Sequence, residues 1–256
     1  MVFYYNGEFI KQNRLKISGA APGFQFGYGV FTSLRTNQGK AILLAEHLNR
    51  VAESCVKLGL TFPKADYQEI IEQLLVRNGC QDLRLKIIIF EDVNCEVSLL
   101  ILVSEFIANR ADKRLTVISQ NYEKTLLKEL KSLNYMENVL LHRKAVQAGF
   151  DEGLLTNSQN IICECCYANI FFVKQGTIYT PKANGNILNG IIRQQLLKSF
   201  PIIEKDIQLA ELPTFEQVFI TNSVQGVVYV EKIDHYSYAC HPISKLAEWS
   251  ANLGLI

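Results

Sequence analysis

The sequence predicts an α+β chain of two domains, and three observations lead there. Strand and helix patterns are mixed without the regular strand–helix alternation of a doubly wound sheet. The 256 residues, 48% of them hydrophobic, are enough for one large core or two smaller ones. The pattern also turns polar at IANRADK, residues 107–113, between two sets of strands. The boundary is drawn after residue 115, giving domains of residues 1–115 and 116–256.

The N-terminal VFYYNGEFI reads as a hairpin, because Asn6-Gly7 supplies the positive backbone angles of a tight turn. GVFTSLRT alternates like a strand. LAEHLNRVAESCVKLGL places Leu44, Leu48, Val51, Cys55 and Leu58 at helical spacing and stops at Gly59. A second helix runs from Ala65 to Arg77. LRLKIIIFE, EVSLLILVSE and RLTVISQ then follow as strands. The second half opens with a helix on NYMENVLLHRKAVQAG, residues 134–149. Strands on EGLLTN, NIICECC, ANIFFVK and TIYTP come next, then a helix on GIIRQQLLKSF. Strands on QVFITN and GVVYVEKI and a last helix on ISKLAEWSANLGL complete the chain. It carries no internal repeat and no low-complexity tract.

A formal net charge of +1 gives no electrostatic reason to expect nucleic acid or an anionic membrane as partner. No apolar run is long enough to span a bilayer, and Glu8 and Lys11 interrupt anything resembling a signal peptide. The seven cysteines are therefore expected as reduced thiols in a cytoplasmic protein.

One stretch asks for chemistry. In ICECCYANIFF, Glu164 stands among Cys163, Cys165 and Cys166. These cysteines lack the C-x-x-C spacing of a metal site, and the four histidines (His47, His142, His235, His241) are scattered. No metal is expected, and the cysteines read as small apolar fillers of a sheet. Strand alternation puts Cys163 with Cys165 on one face and Glu164 with Cys166 on the other. The acid is harder to account for, since a carboxylate in an apolar strand costs several kcal/mol unless a cation or hydrogen bonds meet it. Lys131 precedes a helix, and Arg50 lies on one; singly, both read as surface residues. LNGIIRQ offers Asn189 or Gly190 before a helix, a start that suits an anion or is merely ordinary. ITNSV ends a strand in residues that either bind phosphate or make a turn.

Taken in order, FGYGVFTSLRT, EHLNRV, KSLNYMENVL, DEGLLTN, ECCYANIFFV, TPKANGNILNGIIRQ and FITNSVQGV resemble the class IV aminotransferase family over nearly the whole chain. That family of pyridoxal-phosphate enzymes includes branched-chain and D-amino-acid aminotransferases and 4-amino-4-deoxychorismate lyase. The resemblance implies a fold-type IV architecture: a small N-terminal α/β domain, a larger C-terminal domain around a barrel-like sheet, the cofactor between them, and a homodimer. It also assigns roles. Lys131 would bond the cofactor covalently, and Glu164 would face its pyridine nitrogen. Arg50 would bind the phosphate together with the backbone amides of Ile191 and Ile192 and the Ser223 hydroxyl. Tyr135 looks like the tyrosine that reaches the cofactor's phenolic oxygen in branched-chain members.

Members usually carry Asp-Arg where this chain has Ala21-Pro22, an aspartate at Tyr28, and an arginine-containing, glycine-rich loop where it has EDVNC, residues 91–95. Three features resemble the lyase more than the transaminases: Glu164-Cys165-Cys166 with Ala168-Asn169, Thr32 after Phe31 in place of an acid, and Asn189 before Gly190. The expectation is a lyase that releases 4-aminobenzoate and pyruvate from 4-amino-4-deoxychorismate. An aminotransferase acting on branched-chain or other small amino acids is the alternative, and a catalytically silent member of the fold is a third.

Overall fold

The computed structural model describes residues 1–108, 112–119, 121–123, 125 and 127–255. Residues 109–111 of the polar stretch and Gln120 of the RLTVISQ strand lie outside the described residues. The chain divides into two compact units: Met1–Ile107 with Leu130–Asn134, and Ala108–Glu129 with Tyr135–Ile256.

In the first unit the elements run β1 (Val2–Tyr5), β2 (Glu8–Lys11), α1 (Pro22–Gln25), β3 (Gly29–Asn37), β4 (Lys40–Ala41), α2 (Leu44–Lys57), α3 (Tyr67–Asn78), β5 (Leu83–Glu91) and β6 (Val97–Glu105). The strands form an antiparallel sheet in the order β2-β1-β6-β5-β3-β4. Asn6 and Gly7, with φ of 45° and 96°, make the expected hairpin turn. Val30, Leu34, Leu85, Ile87 and Ile89 point to one side of the sheet and pack with Val51 and Cys55 of α2 and Ile71 and Leu74 of α3. Of the five positions expected to anchor α2, Val51 and Cys55 are buried and Leu44, Leu48 and Leu58 pack partly against the same core. Asp66 caps α3 by accepting from the Glu69 N–H at 3.0 Å. Neither β4 nor the short α1 is legible in the sequence, since each is too short to show a period.

Residues 130–134 return to this unit and lie along β3. Phe31 N–H donates to the Lys131 carbonyl at 2.8 Å, and Leu133 N–H to the Gly29 carbonyl at 2.9 Å. Gly29 permits the approach: a Cβ there would fall 2.6 Å from the Ile89 carbonyl and 2.8 Å from Leu133 Cδ1.

In the second unit the elements are β7 (Lys113–Ser119), α4 (Met136–Gln147), β8 (Glu152–Thr156), β9 (Ile162–Cys165), β10 (Asn169–Lys174), β11 (Thr177–Pro181), α5 (Ile191–Ser199), β12 (Ile202–Lys205), β13 (Gln217–Asn222), β14 (Gly226–Ile233), β15 (Tyr236–Ser237) and α6 (Ser244–Asn252). Its strands follow the order β12-β11-β10-β13-β14-β7-β8-β9, with β15 beside β14. The pairs β11/β12, β14/β7 and β7/β8 are parallel, and the other pairs are antiparallel. It is a mixed sheet, as the resemblance implied. Ile170, Phe172, Val218, Ile220, Val228 and Val230 build its main core. The sequence did not signal β12 or β15.

The expected pairing of the cysteines is corrected here. Cys165 joins the main core with Ile162 and Ala168, whereas Cys163 and Cys166 share a second cluster with Tyr122, Leu155 and Ile187. Alternation breaks because the strand ends at Cys165, where Cys165 N–H bonds the Ala168 carbonyl at 2.8 Å to close a turn into β10. The ladder to β8 is also irregular between Leu154 and Thr156. All three thiols are buried, and burial raises them, Cys163 to about 12. They are protonated fillers. Among the described residues no group of His, Cys, Asp and Glu could hold a metal ion, and no helix is long and apolar enough to cross a membrane.

Candidate active site

In the first unit, Lys131 lies on the segment along β3, and its Nζ stands 4.6 Å from the centre of the Phe31 ring. One residue on, Thr32 is fully buried and points to the helix side of the sheet. Arg50 Nη2 donates to Thr32 Oγ1 at 2.7 Å, and the same hydroxyl meets His47 Nδ1 at 2.5 Å. His47 and Arg50 are three residues apart on α2, so both fall on one helix face and converge on Thr32. Burial, with help from the Arg50 and Lys131 charges, pushes the His47 imidazole well below its ordinary range, and it is neutral at pH 7. Thr32 Oγ1 accepts from the guanidinium and shares a second hydrogen bond with His47 Nδ1. Nε2 is buried without a hydrogen-bond partner. The sequence treated His47 as one of four scattered histidines; its spacing from Arg50 was the available signal.

In the second unit, Glu164 is 6% exposed. Its Oε1 accepts from the Tyr122 hydroxyl at 3.1 Å, and its Oε2 from the Leu188 N–H at 3.2 Å and Asn169 Nδ2 at 3.4 Å. Asn169 Nδ2 also donates to the Leu188 carbonyl at 2.8 Å. Burial and the Glu164 charge hold the Tyr122 phenol far above its usual range, so it stays a donor. Tyr122 and Asn169 carry no role in the sequence reading, because their partnership with Glu164 spans non-adjacent segments.

Gly190 is the N-cap of α5, with no side-chain cap, and Ile191 and Ile192 are its first helical residues. Their N–H groups have no acceptor within the helix. A Cβ on Gly190 would sit 2.2 Å from Asn169 Oδ1, so the helix start and the acid's support are in contact. Behind it, Arg193 is buried and bonds Asn189 Oδ1 and the Pro181 carbonyl, each at 2.9 Å, and pairs with Glu204. Thr221, directly opposite Asn169 in the β10/β13 ladder, keeps a buried hydroxyl with no hydrogen-bond partner. Ser223 follows in a turn where Asn222 Oδ1 accepts from the Val224 and Gln225 N–H groups. Tyr135 donates to the Cys166 carbonyl at 3.4 Å and stacks on Tyr167 with ring centres 6.0 Å apart. The seven expected site residues thus fall into two groups: Lys131 and Arg50 in the first unit, and Tyr135, Glu164, Ile191, Ile192 and Ser223 in the second.

Residues 29–233 match the family model for class IV amino-transferases. The chain belongs to that family. Its members are pyridoxal-phosphate enzymes. The chain is 29% identical over 234 residues to a D-alanine aminotransferase of Listeria monocytogenes, spanning 83% of this chain and 80% of the relative. Among solved structures, a branched-chain aminotransferase of Thermoproteus uzoniensis superposes with a TM-score of 0.89 at 23% identity, covering 100% of this chain and 95% of that one. A Legionella pneumophila protein named "Putative 4-amino-4-deoxychorismate lyase" superposes at 0.87 with 25% identity, covering 94% and 97%.

The residues fit the cofactor. The second unit offers a buried carboxylate for a pyridine nitrogen, an uncapped helix start for a phosphate, and an orphaned Thr221 hydroxyl opposite Asn169. The first unit offers an amine and a guanidinium. That donor set matches an anionic phosphate and a ring base.

Proposed function

We propose that this chain is a pyridoxal-phosphate lyase that converts 4-amino-4-deoxychorismate to 4-aminobenzoate and pyruvate. In this reading Lys131 binds the cofactor covalently, and Arg50, the Ile191 and Ile192 amides and the Ser223 hydroxyl hold its phosphate. Tyr135 faces the phenolic oxygen. Pyridoxal phosphate, when bound, supplies an electron-poor ring that makes the proton beside the substrate's amine acidic. Glu164 keeps a proton on the ring nitrogen, because a buried carboxylate favours the adjacent cationic form. Lys131, once freed by the substrate's amine, takes the acidic proton at Nζ and returns a proton to the leaving enolpyruvate, which becomes pyruvate. The six-membered ring left behind is aromatic, and this makes the elimination strongly downhill.

The observation that carries the reading is the segment from Glu164 to Asn169. A buried acid, supported by Asn169 and followed by two buried cysteines, resembles the lyase's version of this strand. Thr32 supports it: where transaminases more often carry an acid, a neutral hydroxyl takes the Arg50 bond. The protein is expected to work in the cytoplasm as a homodimer; Phe24 and Phe26, 71% and 68% exposed, offer apolar surface that a second copy would cover. The test is product formation from 4-amino-4-deoxychorismate with no keto acid added. Many turnovers to 4-aminobenzoate and pyruvate are expected.

A second reading, an aminotransferase for branched-chain or other small amino acids, is favoured by the curated relatives, named as branched-chain or D-alanine aminotransferases, and by Tyr135. Such an enzyme stops after one half-reaction until a keto acid is supplied. Turnover of branched-chain amino acids with 2-oxoglutarate, and none of 4-amino-4-deoxychorismate, would overturn the lyase assignment in its favour.

A further inference from the structure

The phenol that donates to Glu164 has a cation on its ring. Lys128 Nζ stands 3.2 Å from the centre of the Tyr122 ring, over its face. The Lys128 side chain is 9% exposed, and its Nζ also pairs with Glu137 Oε2. Glu137 lies in the first turn of α4, where the helix dipole favours its charge as well. Glu137, Lys128, Tyr122 and Glu164 all belong to the second unit, and they make one chain of contacts: carboxylate, ammonium, aromatic ring, carboxylate. Tyr122 has other anchors that fix its place. Its N–H donates to the Thr156 carbonyl at 2.9 Å, and its buried ring packs with Leu155, Cys163, Cys166 and Ile187. What the lysine adds is charge. A cation over a π-face draws electron density from the ring, which makes the phenol O–H a stronger donor. A stronger donor on Oε1 favours the charged form of the acid. Glu137 beside the ammonium offsets its field at longer range, so the effect is concentrated on the ring that Lys128 touches.

We propose that Lys128 is a positioning residue for the reaction, a cation that acts through the Tyr122 ring to keep Glu164 ionised beside the cofactor's ring nitrogen. The proposal rests on the reading of Glu164 as the partner of that nitrogen. With the carboxylate charged, the shared proton stays on nitrogen and does not cross to oxygen. The cofactor ring then remains electron-poor, as proton removal beside the substrate's amine requires. In the sequence Lys128 is one of three lysines in EKTLLKELKS, residues 123–132, and nothing local sets it apart. Its contact with Tyr122 does.

The test loads the protein with cofactor isotopically labelled at its ring nitrogen, whose NMR resonance distinguishes the protonated from the neutral form. The wild type is expected to show a protonated nitrogen. Lys128→Met keeps an apolar stem over Tyr122 without the charge. Its resonance should move toward the neutral position, and turnover of 4-amino-4-deoxychorismate should fall about fivefold, a change that one cation–π contact can carry. Lys128→Arg should keep the wild-type resonance, because a guanidinium also lies on an aromatic face. In a Tyr122→Phe background, which keeps the ring and loses the O–H, Lys128→Met should cause no further shift. Melting temperatures should stay near that of the wild type, and Lys128→Gln takes the place of the methionine variant if that one fails to fold. A resonance that neither neutral substitution moves overturns the proposal. So does one that Lys128→Met moves equally in the Tyr122→Phe background, or that Lys128→Arg displaces just as far. A neutral nitrogen in the wild type sinks instead the reading of Glu164 beneath the proposal.

Discussion

The two units hold their functional charges in opposite ways. In the first, cations lie against neutral groups: Arg50 on the Thr32 hydroxyl, Lys131 and Lys86 on the face of Phe31. In the second, an anion lies in a web of neutral donors, Tyr122, Asn169 and the Leu188 N–H. Donors fix the position of a carboxylate and favour its charged form. An aromatic face attracts an ammonium through its quadrupole and sets no single direction for the N–H groups. The difference suits the division of labour proposed above. The acid has to stay still beside a ring nitrogen, whereas the lysine has to change partners and carry a proton.

Lys131→Ala, which removes the proposed proton carrier from this contrast, should have the largest effect. Activity should fall by about a thousandfold or more, since nucleophile and proton carrier are lost together. Borohydride should no longer fix cofactor to the protein, and the melting profile should stay near wild type. Glu164→Gln removes the fixed side. Cofactor should still bind, with activity lower by about a hundredfold. Tyr122→Phe, which deletes one donor and leaves the acid, should lose less than Glu164→Gln. Equal losses would mean that Tyr122 does more than hold the carboxylate.

Thr32→Val should destabilise the protein by about 1–3 kcal/mol, read by thermal melting, because Arg50 and His47 both lose a buried partner. The same variant should weaken cofactor binding to the apoprotein, whereas Ser33→Ala, one residue along the strand, should do neither. The smallest effect is with acid. His47 is depressed in the folded protein and ordinary when unfolded, so its neutral form stabilises the fold above about pH 6.5. Below that, the unfolded state takes up a proton that the native state refuses, and stability should fall by up to about 1.4 kcal/mol per pH unit. Denaturant melts between pH 7 and 5 should show this slope in the wild type and lose it in His47→Asn.

Regular elements with a clear period were legible in the sequence. The α2 spacing, the Asn6-Gly7 turn and the apolar runs of β5 and β6 all reappear in the structure. What escaped was set by contacts between distant segments. Nothing local in Leu130–Asn134 says that it lies along β3; Gly29 is the trace of it, and only the packing makes that glycine meaningful. The face assignment of the cysteines failed for a similar reason, since the turn after Cys165 comes one residue earlier than an uninterrupted strand would place it. In the candidate site, the sequence pointed to the groups that would touch a cofactor, through ordered motifs. It was silent on Thr32 with His47 and on Tyr122 with Glu164, where the partners lie 15 and 42 residues apart.

Asn169 carries a consequence for anyone who would rebuild this enzyme. One side-chain amide serves Glu164, the Leu188 carbonyl and the space before α5, where Gly190 leaves no room for even a methyl group. The stretch from 164 to 169 and the stretch from 188 to 192 therefore behave as a single cassette. A chimera that imports a relative's helix start without the matching strand would push the amide aside and release the acid with it. Exchanged together, the two stretches would bring their own fit, and specificity could be transplanted without touching the sheet beneath.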